Sequence, residues 1–409
     1  MKRRRAVVGL AGIAAAGLGA SFWPDQGLWN SCAAPDLPGD LADGDLIRDA
    51  WQGIDSAQVW DCHAHLIGVG DNGGTWINPA MDRLSDPMQY AQKRFFLNAG
   101  CADSADGKTD ASYLARLLRL RRSGLRQAKI MLLAFDYTYS QRGERLPNLS
   151  AFHTANEYAA AVAQRYPNDF EWIASVHPYR PDAIAALQWV KQHGARAIKW
   201  LPASMGIDPA TAQCKPFYRA LAELRLPLLS HAGEERAVHG AGSQELGNPL
   251  LLRHALDEGA YVIVAHCASM GESRDLDAGP NAALVGNFEL FARLMAEARY
   301  ANRLFGDVSA VTQANRAPIA LQTLLERDDW HPRLLNGSDY PLPGVMPLFS
   351  LTQLERLKLL DPQRREVLTE IRKHNALLFD FVLKRSLRSN GHAFSANVFE
   401  TRRFFERLA

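Results

Sequence analysis

With 409 residues, 47% of them hydrophobic and 22% charged, the chain can form one large elaborated domain or two ordinary ones around a sizeable core, which excludes a disordered protein. Lys plus Arg (46) nearly balance Asp plus Glu (44), and beyond the N-terminus the basic residues form no long run or aromatic-interleaved patch, which argues against a nucleic-acid partner. Cys32, Cys62, Cys101, Cys214 and Cys267 are widely spaced with no CxxC pair, so they suggest neither a zinc ribbon nor a disulfide framework.

In chain order, MKRRR is a basic n-region and residues 6–22 form an uncharged Ala/Gly-rich run, the pattern of an export signal. The adjacent arginines followed by Ala6, Val7 and Val8 resemble a twin-arginine signal, which predicts a bacterial periplasmic or exported protein. Left uncleaved, the same segment would anchor the chain in the inner membrane, although at about 17 residues it is at the short limit for a span. Residues 23–53 are rich in Pro, Gly and Asp and read as a linker with a short helix near 45–51, so the folded domain is expected over 54–409.

The domain opens on VWDCHAHL, residues 59–66. Asp61, His63 and His65 alternate with Cys62 and Ala64, so on a strand the acid and both imidazoles project to one side. Two such imidazoles can enter one coordination sphere and suit a transition metal or zinc, although an isolated HxH is also a common surface pair. A Gly/Asn-rich loop follows, and then helices around 87–98 and 111–124.

Strand and helix patterns alternate from there. Strands are expected at 129–135, 171–177, 195–201, 227–231, 260–266, 304–310 and 333–339. Helices are expected between them at 156–166, 181–193, 214–224, 249–258, 287–300 and 318–327, and the segment 347–409 also reads as helical. With 59–66 as the first strand, this repeat predicts a (β/α)8 TIM barrel with an N-terminal export segment and extra C-terminal helices. An open doubly wound sheet would usually carry a Gly-rich fingerprint at its first helix, and the sequence has no GxGxxG or Walker A motif.

Barrel enzymes place their catalytic groups at the C-terminal ends of the strands. Here those positions carry Asp61, His63 and His65 on the first strand, Lys199 on the fourth, His231 on the fifth, His266 on the sixth and Asp339 on the eighth. Either His231 or His266 alone would fit a core histidine; the ordered set is hard to ascribe to packing.

The motifs WDCHAHL, AIKW, LLSHAGEE, VAHC, GDVSA, NGSDYP and NALLFDF, spread over 59–381, resemble the amidohydrolase superfamily and within it the branch called amidohydrolase family 2. The resemblance implies a metal-dependent barrel in which His63, His65, His231 and Asp339 hold one divalent metal, zinc or another transition metal. It implies catalytic roles for Asp339 as proton acceptor and for His266 in orienting water or the substrate carbonyl. Lys199 would face an anionic substrate group, bridge two metals as a carbamate, or line the rim. Asp61 would support an imidazole N–H or cap its strand.

Asp136, Tyr137, His177, Tyr179, Trp200, Glu234, Arg236 and Arg316 are weaker candidates that would line the mouth or sit in solvated loops. His193, His239, His254, His331, His374 and His392 fall in helices or loops with a structural reading. The expected activity is hydrolysis of a lactone, ester or amide of a small-molecule substrate. The alternatives are a non-oxidative decarboxylase of the same family and a catalytically inactive exported binding protein.

Overall fold

A computed structural model describes residues 24–279, 281–316 and 318–408; the export segment expected at 1–22 lies outside them. Eight short strands form the centre: β1 (Trp60–His65), β2 (Lys129–Leu133), β3 (Phe170–Ile173), β4 (Ile198–Trp200), β5 (Leu228–His231), β6 (Val262–Ala265), β7 (Leu304–Asp307) and β8 (Leu334–Leu335). All pair in parallel, in the order β1-β2-β3 and β4-β5-β6-β7-β8. Parallel bridges Ala174–Ile198 and Ala64–Tyr340 join the two sets, the second reinforced by His65 N donating to Tyr340 O at 2.8 Å. The result is the expected TIM barrel.

The strands are apolar on both faces because both faces are covered. Met131, Leu133, Leu229, Ile263, Ala265 and Phe305 point inward into one cluster, and their neighbours Ile130, Leu132, Leu228, Val262, Val264 and Leu304 point outward against the helices. This is the two-residue period of a strand buried twice. The inner cluster is completed by Phe404, Phe405 and Leu408 from the helix Arg402–Leu408, which closes the end of the barrel where the strands begin.

Helices α1 (Pro87–Ala99), α2 (Thr109–Gly124), α3 (Asn156–Arg165), α4 (Ala183–Gln192), α5 (Lys215–Glu223), α6 (Arg253–Asp257), α7 (Asn287–Ala296) and α8 (Pro318–Glu326) fall where helical spacing placed them. On α2 the buried Tyr113, Leu117 and Leu120 recur at helical spacing and seat it on the barrel. The C-terminal region adds α9 (Arg365–His374) and α10 (Ala376–Ser386), and Asn375 caps α10 by accepting from Leu378 N at 3.0 Å. Helix α1 is different. It is capped by Asp86, but Ala99 is its one fully buried residue, and it lies over the open end of the barrel.

Residues 24–53 run along the barrel surface and are bonded to it. Asn30 N donates to Asn98 Oδ1 at 2.8 Å, Asn98 Nδ2 returns a bond to Asn30 O at 3.1 Å, and Trp51 is buried against Phe381. Cys32 and Cys101 form a disulfide, a single bond that the cysteine spacing did not suggest. The two are 69 residues apart and meet because the N-terminal stretch crosses the end of α1, a contact that sequence spacing does not encode. Among the described residues no helix is long and apolar enough to cross a membrane.

Candidate metal centre

The open end of the barrel holds a cavity of about 300 Å³. His63, His65, Lys199, His231, His266 and Asp339 line its floor; Phe95, Phe96, Phe152, Leu342, Val345 and Leu348 form its apolar walls. His65 and His231 end β1 and β5, His63 and Lys199 stand near the C-terminal ends of β1 and β4, and His266 and Asp339 follow β6 and β8.

Two groups that share His63 have ligand atoms within 4.8 Å of one another: His63, His65 and Asp339, which face the cavity, and His63, His266 and Asp307. Asp339 Oδ1 is 3.1 Å from His65 Nε2 and 3.4 Å from His63 Nε2. The approach of β8 to β1 that makes this possible depends on Gly337, because a Cβ there would lie 2.6 Å from His63 Cβ. Asp339 N donates to His63 O at 2.7 Å, and Asp339 itself takes the left-handed backbone conformation, φ +58°, which turns its carboxylate into the cavity.

Behind the rings lies a second layer that the sequence reading did not single out as site residues. Asp307 Oδ2 accepts from His63 Nδ1 at 2.5 Å, which fixes that tautomer and leaves His63 Nε2 for the cavity. Ser309 Oγ donates to Asp307 Oδ2 at 2.8 Å, and His266 Nδ1 donates to Ser309 O at 3.1 Å. His266 therefore presents its Nε2 lone pair to the cavity, 3.8 Å from Asp339 Oδ2. Asp307 and Ser309 belong to GDVSA, and Asp307 terminates β7, the position that drew attention to the residues on the other strands.

His231 lines the same cavity, its ring centroid 5.3 Å from that of His266, but it is part of neither 4.8 Å group. Its Nδ1 lies 3.4 Å from the buried carboxylate of Glu235. Lys199 is 1% exposed and places Nζ 3.1 Å from His63 Nε2. Asp61 resolves to strand capping: its Oδ1 accepts from His63 N at 3.1 Å and Ser338 N at 2.8 Å, and the imidazole it could have supported is held by Asp307.

The electrostatics suit a cation. Burial keeps the rings of His63, His231 and His266 neutral, with His231 lowered to about 4. Burial by itself would raise the Asp339 carboxyl, but the rings of His266, His63 and His65 hold it well below the usual carboxylate range. Burial lowers the Lys199 ammonium to about 8, against the pull of Asp339 and Asp307. Neutral imidazoles beside an ionised carboxylate are the donor set that a divalent transition metal takes, and by the chemistry of these donors the residues fit one.

Of the weaker candidates, Glu234, Arg236 and Arg316 line the cavity. The others are engaged elsewhere. His177 Nε2 donates to Met205 O at 3.0 Å, Asp136 pairs with Arg180 at 3.0 Å, and Tyr179 OH accepts from Asp208 N at 3.0 Å. Tyr137 stacks on His153, and Trp200 Nε1 donates to Val176 O at 2.8 Å on the helix side of its strand.

A family model described as amidohydrolase matches residues 60–378. No curated protein matches the chain. Similar solved structures include an uncharacterized TIM-barrel protein of Bordetella bronchiseptica, TM-score 0.47 and 14% identity over 75% of this chain and 94% of the other. The IDCase of Metarhizium anisopliae in apo form has TM-score 0.45 and 11% identity over 88% and 98%. A protein of Pseudomonas putida provisionally named 2-pyrone-4,6-dicarboxylic acid hydrolase has TM-score 0.42 and 18% identity over 79% and 97%.

Proposed function

We propose that this chain, which belongs to amidohydrolase family 2, is a metal-dependent hydrolase acting on an ester, lactone or amide carbonyl of a small organic substrate. The observation that carries the reading is the convergence of His63, His65 and Asp339 at the floor of a cavity walled by apolar side chains. His63, His65 and Asp339, with His231 beside them, would hold one divalent metal, zinc by preference. Such an ion supplies Lewis-acid polarisation of a carbonyl and lowers the pKa of water.

The chain's own residues supply the rest. Asp339 is held as a carboxylate and is placed to take a proton from the attacking water. The His266 Nε2 lone pair faces the same space and can orient that water, because Ser309 holds the opposite ring nitrogen. Lys199 stands beside His63 with an N–H free to reach charge developing on the substrate oxygen. The apolar walls lower the local polarity and so strengthen each of these interactions.

A second reading, non-oxidative decarboxylation, is favoured by the two buried cations Lys199 and Arg316, which suit a substrate carboxylate. The readings separate by product: hydrolysis incorporates solvent oxygen, and decarboxylation releases carbon dioxide. For the hydrolase, Asp339→Asn is expected to lower turnover of an ester, lactone and amide panel by at least about a hundredfold. Turnover that survives the substitution with metal still bound would contradict the role given to Asp339.

We also infer export to an oxidising compartment. The basic N-terminus and apolar run support it, as does the Cys32–Cys101 disulfide, a bond that persists under oxidising conditions and is rare in the cytosol. Periplasmic fractionation tests it: the native chain is expected in the periplasmic fraction, and the variant with Arg3→Lys, Arg4→Lys and Arg5→Lys in the cytoplasm. Equal periplasmic recovery of both would contradict a twin-arginine route.

A further inference from the structure

We propose that the turn 310–316, which follows β7, forms a carboxylate subsite, and that Arg316 selects an acidic substrate with a compact apolar body. The proposal rests on the cavity being the reaction site and adds the class of molecule it takes.

Arg316 lines the cavity yet is 8% exposed. Its guanidinium makes one long side-chain hydrogen bond, Nη1 to Ser269 Oγ at 3.3 Å, and its Nε has no partner. Among the described residues no carboxylate lies within ion-pair distance of it. Gln313, on the same turn and 5% exposed, also lines the cavity with Nε2 unpartnered. Backbone bonds from Gln313 N to Ala310 O at 3.0 Å and from Arg316 N to Gln313 O at 3.1 Å hold both side chains on one turn.

Buried polar groups are almost always hydrogen-bonded, and a buried cation without a partner is strongly destabilising. Buried cations away from the cavity are answered in the fold: Arg372, 1% exposed, donates to Pro343 O, Val345 O and Met346 O, and Lys384 pairs with Asp380. Arg316 is left with unused donors on the face of a cavity. A guanidinium presents its N–H groups in a planar fork that matches a carboxylate, and the Gln313 amide adds a donor beside it. Phe95, Phe96, Phe152 and Leu348 give the remaining space an aromatic and aliphatic character, so the molecule that fits is an acid with an apolar body.

Calorimetric titration of the metal-loaded full chain with 3-phenylpropionate and 3-phenylpropionamide tests the subsite without requiring turnover, so its failure is distinct from failure of the hydrolase reading. The acid is expected to bind at least about tenfold tighter than the amide. Arg316→Gln should abolish that preference by weakening the acid at least about tenfold while leaving the amide within about twofold, and Arg316→Lys should restore part of it. Equal binding of acid and amide by the native chain, or failure of both to bind, overturns the subsite. So does an Arg316→Gln chain that keeps the preference, because the metal or Lys199 would then be holding the acid. If Arg316→Gln does not fold, the acid and amide comparison on the native chain and on Arg316→Lys decides.

Discussion

Asp307 and Asp61 are both buried aspartates beside His63, and they do opposite kinds of work. Asp307 holds the ring: its carboxylate accepts the Nδ1 hydrogen bond at 2.5 Å, and although burial opposes its ionised form, His63 and Ser309 keep it below its usual range. Asp307→Asn is therefore expected to lower metal affinity about 10- to 100-fold, read by competition with a chromogenic chelator, with the melting curve little changed. An unchanged affinity would remove Asp307 from the centre. Asp61 instead fastens backbone to backbone through His63 N and Ser338 N, and burial raises its carboxyl to about 6. Asp61→Ala should cost about 2 kcal/mol of stability by leaving two buried amides unpaired, measured by urea denaturation. Stability equal to the native chain would show the clamp to be dispensable.

Between β3 and the loop after β4, His177 acts as a neutral connector: Nε2 donates to Met205 O, and Nδ1 accepts from Tyr179 N at 3.2 Å. Burial lowers its pKa from 6.5 to about 4. The unfolded chain then takes up a proton first as pH falls, so this contribution is complete above about pH 6.5 and is lost toward pH 4. Up to roughly 3 kcal/mol is at stake for a shift of this size. The urea midpoint of the native chain should fall more between pH 7 and pH 4.5 than that of His177→Gln, and identical pH profiles would contradict the assignment. Helix α1 poses a different question, because it covers the cavity while burying little of itself. It is held by Asn30 at Asn98, by Trp29 stacked on Phe95 at 4.8 Å, and by the disulfide just past its end. A cross-link closing about 70 residues stabilises by about 4 kcal/mol on loop entropy. Reduction should lower the melting temperature and raise hydrogen exchange first across 87–101; exchange unchanged there would show that the tether does not hold α1.

At the scale of the whole molecule, the barrel was legible because parallel strands buried on both faces leave unbroken apolar runs such as KIMLL and VIVA, and alternating helical patterns separate them. The floor of the cavity was legible for a related reason: His63, His65, Lys199, His231, His266 and Asp339 each interrupt or end an apolar strand, where a polar residue has no packing role. Relations between distant residues were not legible. Asp307 reads like any strand-ending acid until the fold sets it under His63, 244 residues away, and Cys32 gives no sign of Cys101. Residues 24–53 have a linker's composition, yet Ile47, Ala50 and Trp51 bury themselves against the domain. Composition reports local flexibility, and the contact is made by elements the composition does not contain. In the proposed function, His63, His65 and Asp339 hold a metal on which turnover depends. Elemental analysis of the purified chain, paired with turnover of the ester, lactone and amide panel after chelation and zinc re-addition, tests it most directly. About one divalent ion per chain is expected, lost in His63→Ala, with activity that disappears on chelation and returns with zinc. A folded, metal-free chain that turns over the panel undiminished, or a His63→Ala chain that keeps its ion, would contradict it.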